Sequence, residues 1–348
     1  MDTISEEALS GLVDRIDITP EQRKALRSYL RKDNAWQQRA RLRQVLWAQE
    51  HVHAPLNDKY PWMIATSDQG PYTGTDNFLT DAIGARAELE ITPGVRQEAG
   101  LINPDRLRTN LLSSQPLCFN AFGELSTGDG WTRATAVLRG LWPDLIKEVT
   151  NIRYEHNPHR GVDGVIGTGT AFDVFIDVVT PENEVGFIGI ETKYHEGMDD
   201  KPPAREASTQ DRTDRRTKSL TEAASLLNLS LDEVWDMNGW QMWMDHALAV
   251  AMLPSAVQAQ HLGHDCFPSY KRGKFVVLSP RDNTAVRDVY DAYRRRLADA
   301  GTDLDTLAFC DLEEFVVACE NAGEATWPGA LRDRYLTMAT VEGLLTSP

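Results

Sequence analysis

None of the four cysteines, Cys118, Cys266, Cys310 and Cys319, stands close enough to another to form a CxxC pair. That spacing argues against a zinc site or a disulfide framework and makes a reducing cytoplasm the expected setting. Long apolar runs are missing too. No stretch approaches the ~18–20 residues needed to span a bilayer, and the opening "MDTISEEALSG" lacks a signal-peptide pattern. Cations are outnumbered, 36 Lys and Arg against 52 Asp and Glu, for a net charge of −16. That balance excludes a simple nucleic-acid coating protein, because phosphate binding rests on Lys and Arg. Walker A, Rossmann glycine and GxSxG patterns are absent, as is any Ser/His/Asp or Cys/His constellation.

What is present is ordinary material for a globular core. The 348 residues are 41% hydrophobic and 25% charged, enough for one large domain or two of usual size. Charge is unevenly spread. Between Glu21 and Glu50, eight basic residues (Arg23, Lys24, Arg27, Arg31, Lys32, Arg39, Arg41, Arg43) face three acidic ones, and Arg205–Lys218 forms a second basic cluster. Such patches are able to hold a polyanion despite the acidic total; solvated helix faces account for them equally well.

Helical signals dominate the first third. Thr19, Pro20 and Gln22 read as a capped helix start, a second helix is expected over Asn34–Gln49, residues 51–80 read as irregular, and 104–122 as largely helical. A helix over Thr132–Leu141 follows. Then "EVTNIRYEHN", "AFDVFIDVV" and "EVGFIGIETKY" read as strands, the last two joined by a turn at "TPENE". Residues 199–218, with eleven charges in twenty, suggest a mobile loop. Short helices starting at Ser219 (with Glu222) and Ser230 (with Glu233), an apolar helix over "NGWQMWMDHALAVAML", a strand "KFVVLSP", a helix over 284–299, a strand "TLAFC" and closing helices complete the chain. No internal repeat is visible.

The third strand carries the chemistry. Glu191 and Lys193 lie two apart, on one face of a strand whose preceding residues suit a buried core. Asp173 lies eighteen positions earlier, and Asp177 shares its face. The hairpin brings Asp173 beside Glu191, so two carboxylates and an ammonium converge at a strand end. Hard oxygen ligands of this kind suit Mg²⁺ or Mn²⁺. Such an ion acidifies water and screens phosphate charge, while Lys193 orients the nucleophile. A mutual ion pair on a solvated strand end would use the same Glu191 and Lys193.

"FDVFID…GFIGIETKY" resembles the PD-(D/E)xK nuclease superfamily. "ARLRQVLWAQE", "DNFLTDAI", "RLRTNLLSSQPLCFNAFGEL", "GIETKYHE" and "QMWMDHALA" resemble an uncharacterised, restriction-endonuclease-like branch of it, so the likeness spans residues 40–250. It implies an α/β fold with a restriction-endonuclease-like αβββαβ core, taken here as residues 126–348, with a mostly helical portion, 1–125, packed on it. It further implies a Mg²⁺- or Mn²⁺-dependent endonuclease acting on DNA, in restriction, phage defence or repair. Asp173 and Glu191, with the Thr192 carbonyl, would hold the metal, and Lys193 would position the attacking water. Phe172 stands where the family pattern has proline, and the 132–141 helix carries no acid. Glu155, with Glu148 behind it, is the candidate for the additional acid; an exposed strand carboxylate is the other reading of either. Gln241 is assigned a place beside Lys193; a helix-face amide bonded to a loop is the other reading. Asp245, one turn on, shares that face.

Several residues stay open between site and scaffold. His195 alternates with Lys193 and is placed to touch substrate or water. Ser113, Ser114, Gln115 and Asn120 either line the site or satisfy buried backbone, and Trp235, Trp240 and Trp243 read as core. The acidic total also leaves room for a catalytically silent binding subunit, for RNA as substrate, and for a protein partner or self-association.

Overall fold

The computed structural model describes residues 27–28, 30–66, 70–92, 102–128, 130–157, 169–204, 210–253, 270–324 and 326–336. The helix start at Thr19, Arg205 and Cys266 lie outside them.

Helix α1 (Ala35–His51) begins at Asn34, whose side chain accepts the Gln37 N–H while Gln37 Oε1 accepts the Asn34 N–H, a reciprocal cap. Helix α2 (Asp81–Ile91) carries no strong sequence signal. Its fourth residue is Gly84, where a β-carbon would lie 2.9 Å from Thr75 Cγ2. The expected 104–122 helix is two, α3 (Pro104–Thr109) and α4 (Ser114–Phe122), with Ser113 capping the second. Helix α5 spans Gly130–Leu141. Strands β1 (Glu148–His156), β2 (Phe172–Val179) and β3 (Val185–Thr192) follow.

The connection expected to be mobile is instead partly helical. Helix α6 covers Gln210–Leu226, so Ser219 and Glu222 lie inside a helix rather than at its start. Asp211, Asp214 and Lys218 are exposed while Leu220, Ala223 and Ala224 are buried, and that narrow apolar stripe suffices to dock it. Helix α7 (Leu231–Trp235) starts at Ser230 with the Glu233 capping box in place. Helix α8 (Trp240–Ala251), β4 (Arg272–Ser279), α9 (Thr284–Asp299), β5 (Leu307–Asp311), α10 (Leu312–Asn321) and α11 (Thr326–Tyr335) complete the order.

The five strands form one mixed sheet in chain order. The β1–β2 and β2–β3 pairs are antiparallel, whereas β3–β4 and β4–β5 are parallel. The expected α/β order, helix, three strands, helix, strand, is present as α5, β1, β2, β3, α8 and β4. Helices cover both faces, and strand alternation sorts the side chains between them. Val174, Ile176, Val178, Ile188 and Ile190 join one core with α1, α4, α5, α10 and α11. Phe175, Phe187, Phe275 and Val277 join the other with α6, α8 and α9. Side chains of the first 125 residues therefore share a core with the sheet. By the same parity Asp173, Glu191 and Lys193 belong to the α8 face, where β3, paired on both sides, ends.

Candidate active site

Pairing between β2 and β3 runs as far as Val174–Ile190, so the next position sets Asp173 opposite Glu191. Gly189 permits this approach. A β-carbon there would lie 2.6 Å from the Phe172 ring, which crosses the hairpin beside Asp173. Asp173 Oδ2 accepts the Thr192 main-chain N–H at 2.8 Å and its hydroxyl at 2.6 Å, latching the two strand ends together.

Glu191 Oε1 carries the other contacts. Lys193 Nζ lies 2.8 Å away, and Gln241 Nε2 donates to the same oxygen at 2.7 Å. Gln241 Oε1 in turn accepts from Lys193 Nζ at 2.9 Å. The three side chains close a triangle in which the amide carbonyl meets the ammonium and the amide N–H the carboxylate. Glu191 and Lys193 are 3% and 8% exposed, so little solvent screens them.

Gln241 owes its position to the start of α8. Gly239, at φ +84°, makes the turn, and Asp200 accepts the N–H groups of Gly239 and Trp240 on its carbonyl and that of Gln241 on its carboxylate. Nothing local announces Asp200, which reaches the helix across forty residues of chain.

The electrostatics follow from burial. Desolvation raises the Asp173 carboxyl, against the pull of Lys193 and the Thr192 hydrogen bonds. Glu191 is pushed well above the usual carboxylate range, first by burial and then by the like charge of Asp173. Burial disfavours the Lys193 ammonium, but Glu191, Glu196 and Asp173 outweigh it and hold the amine protonated.

Whether this set fits a metal turns on Glu191 Oε2, a buried oxygen without any hydrogen-bond partner. Two like-charged carboxylates, one with an orphaned oxygen, form a hard-oxygen donor set suited to Mg²⁺ or Mn²⁺, which keep several waters. Among the described residues no group of three or more His, Cys, Asp or Glu side chains is placed to hold a metal. The donor set is thus two carboxylates rather than a closed cage.

Glu155 falls across from Asp173, between the Tyr154–Val174 and His156–Phe172 pairs, and adopts φ +46°. This left-handed residue reverses the side-chain alternation of β1. Its carboxylate accepts from Gln115 Nε2 at 2.8 Å on α4, while His156 turns to the Phe175 ring. Asp173, Glu155 and Glu191 all bear on the buried Cys118 thiol, which burial has already raised. Glu155 therefore approaches the acidic pair from the α4 side. Glu148 is exposed at the far end of β1, opposite Val179. Asp177 is taken by Arg153 and Tyr270.

Other candidates divide between site and scaffold. Ser114 supplies a carbonyl to the Thr192 hydroxyl at 3.3 Å and an N–H to Glu196 at 3.0 Å. Ser113 caps α4, and Asn120 bonds Asn77, Leu79 and Tyr335. His195 Nε2 lies 3.0 Å from Arg41 Nη2, with its pKa lowered by burial and by that cation. His246 turns away to Tyr293 and Thr306. Trp240 and Trp243 are buried core. Within the first basic cluster, Arg41 is bound to Asp33 and Arg43 to the Tyr335 carbonyl, both buried. These two serve the interior; Arg31 and Lys32 remain exposed.

Among the described residues no helix is long and apolar enough to cross a membrane. A family model described as the PD-(D/E)XK nuclease superfamily matches residues 31–337, most of the chain. No curated protein and no solved structure matches it.

Proposed function

The chain belongs to the PD-(D/E)XK nuclease superfamily, and from that premise we propose that it is a Mg²⁺- or Mn²⁺-dependent endonuclease hydrolysing phosphodiester bonds of DNA, in restriction, phage defence or repair. The observation that carries this reading is the Glu191–Lys193–Gln241 triangle set against Asp173 at the end of β3. Asp173, Glu191 and the Thr192 carbonyl would hold the cation, which when bound acidifies water and screens charge on the phosphate.

The protein's own groups do the rest. Lys193, kept protonated and fixed at two points, donates a hydrogen bond that orients a water oxygen toward phosphorus. Gln241 keeps the ammonium from collapsing wholly onto Glu191, because its carbonyl supplies a second acceptor. Attack forms the new P–O bond in line with the departing oxygen; the water's proton passes to solvent, and the leaving oxygen is protonated from solvent. Glu155, held by Gln115, is the additional acid on the α4 side of the pair.

Plasmid incubated with purified protein and Mg²⁺ or Mn²⁺ tests the reading. The parent is expected to cleave and Lys193→Ala and Glu191→Ala to lose cleavage by orders of magnitude; equal rates in all three would overturn it.

One observation favours a second reading, a nuclease-fold binding subunit without turnover. The net charge is −16, and Arg41 and Arg43 are spent on internal contacts. A partner or a second copy would then supply the cationic surface. Salt titration of DNA binding separates the two: an intrinsic nuclease has a measurable salt slope and a silent scaffold has none.

A further inference from the structure

Asp245 lies on α8 one turn beyond Gln241, on the helix face turned to the motif, and is fully buried. One of its oxygens accepts the Thr170 hydroxyl just before β2. The other, Oδ2, is buried without a partner, as is Glu191 Oε2. Two orphaned carboxylate oxygens in one neighbourhood are hard to reconcile with a purely structural role. A buried charge left unpaired costs several kcal/mol, and an apolar residue of that size would avoid it. The charge of Asp245 helps raise Glu191, while Asp245 itself is raised by burial and by Asp173, against the pull of Lys193.

The charge count is simple. Asp173, Glu191 and Asp245 contribute three negative charges when ionised and Lys193 one positive. Within this set the surplus is two negative charges, and Glu196 and Asp200 add to it, so the neighbourhood favours a cation. The three acids do not close into a three-ligand cage. Asp245 is therefore placed to act from behind direct ligation, through charge and ordered water.

We propose that Asp245 is a positioning carboxylate of the cation site: its buried, unpartnered oxygen, one helical turn from the Gln241 that bonds Glu191, raises the affinity of the Asp173–Glu191 pair for a divalent ion. This rests on the reading of that pair as a cation site. Thr170 serves the same acid as an anchor, fixing one oxygen so that the other stays free.

The test is Mn²⁺ titration of the full chain by calorimetry, with no nucleic acid present. Asp245→Asn keeps an oxygen for Thr170 and removes only charge, whereas Thr170→Val removes the anchor and leaves the charge. The expected result is Mn²⁺ binding by the parent, a loss of about tenfold or more in Asp245→Asn, and less than about threefold in Thr170→Val. In metal-free buffer the unfolding midpoint of Asp245→Asn should exceed the parent's. Parent-like affinity in Asp245→Asn overturns the inference while leaving the cation site intact. Equal weakening by both variants overturns it too, since Asp245 would then act only by holding Thr170. Absence of Mn²⁺ binding by the parent removes the cation site itself and the inference with it. Should Asp245→Asn fail to fold, Asp245→Ser is judged by the same criteria.

Discussion

Replacing Gln241 by Leu removes both arms of the amide bridge at nearly constant volume. The lost contacts are Nε2 to Glu191 Oε1 at 2.7 Å and Oε1 to Lys193 Nζ at 2.9 Å. Each involves a charged partner, and such bonds are worth about 1.5–3 kcal/mol apiece. Two effects reduce the sum. Glu191 and Lys193 keep each other at 2.8 Å, so neither is stranded, and Gln241 is only partly buried. The net cost should be about 2–3 kcal/mol, read as the loss of unfolding free energy in urea at pH 7 without metal. Cleavage should fall on the order of 10–100-fold, because an ammonium free to swing no longer holds water in line. Gln241→Glu sharpens the test. Its carboxylate still receives Lys193 but meets Glu191 with like charge, so its stability should fall further at pH 8 and recover toward pH 5. A change below about 0.5 kcal/mol in Gln241→Leu, with parent cleavage, would refute the view that the triangle is an energetic unit.

Lys193→Met leaves the Glu191 carboxylate buried without its cation and should cost about 3–5 kcal/mol in metal-free protein, a loss that Glu191→Gln introduced alongside it should largely restore. Gly189→Ala puts a β-carbon against the buried Phe172 ring, 2.6 Å away, and should destabilise by about 1–3 kcal/mol while weakening Mn²⁺ binding through the displaced Asp173. A pH titration of stability tests the raised carboxyls. Because Glu191 and Asp245 bind their protons more tightly folded than unfolded, their contribution is most favourable below the ordinary carboxylate range and declines as pH rises above it. Glu191→Gln should flatten that decline in metal-free protein, and an unchanged slope would contradict the assignment. His246 acts in the opposite sense. Burial lowers its pKa to about 3, so the stability it contributes is complete above pH 6.5 and drains as pH falls toward 3; His246→Gln should remove that acid limb in a urea-denaturation series.

Much of the architecture was readable because strand and helix periods differ. The β-rich, partly alternating "FDVFIDVV" and the run "GFIGIE" placed Asp173 and Glu191 on adjacent strands, and the hairpin register sets them opposite one another. The helix expected over 284–299 is present as α9 (Thr284–Asp299), and Ser230 with Glu233 marks α7. Helix α2 was hidden because Gly84 and two glutamates break its apolar stripe, and only Ile83, Gly84 and Ala87 are buried. The long α6 was masked by its charges, since a helix docked by a few small residues carries little hydrophobic signal.

In the site, strand spacing and the hairpin pointed to Asp173, Glu191 and Lys193, and the family resemblance added Gln241, a helix amide among tryptophans. Contacts made across the fold left no such trace. The Thr192 latch on Asp173, the Asp200 cap that fixes Gln241, the reversal at Glu155 and the orphaned oxygen of Asp245 each depend on segments joined only by folding. The basic cluster at 21–50 misleads for a related reason: composition counts Arg41 and Arg43 as surface charge, whereas Asp33, Trp36 and Trp62 take them inside.

The most direct measurement is a crystal soaked in Mn²⁺ and recorded at the manganese absorption edge. An anomalous peak between the carboxylates of Asp173 and Glu191, absent in Glu191→Gln, is the predicted result. No peak there at saturating Mn²⁺, with Lys193 still paired to Glu191 as in the ion-free protein, would contradict the account.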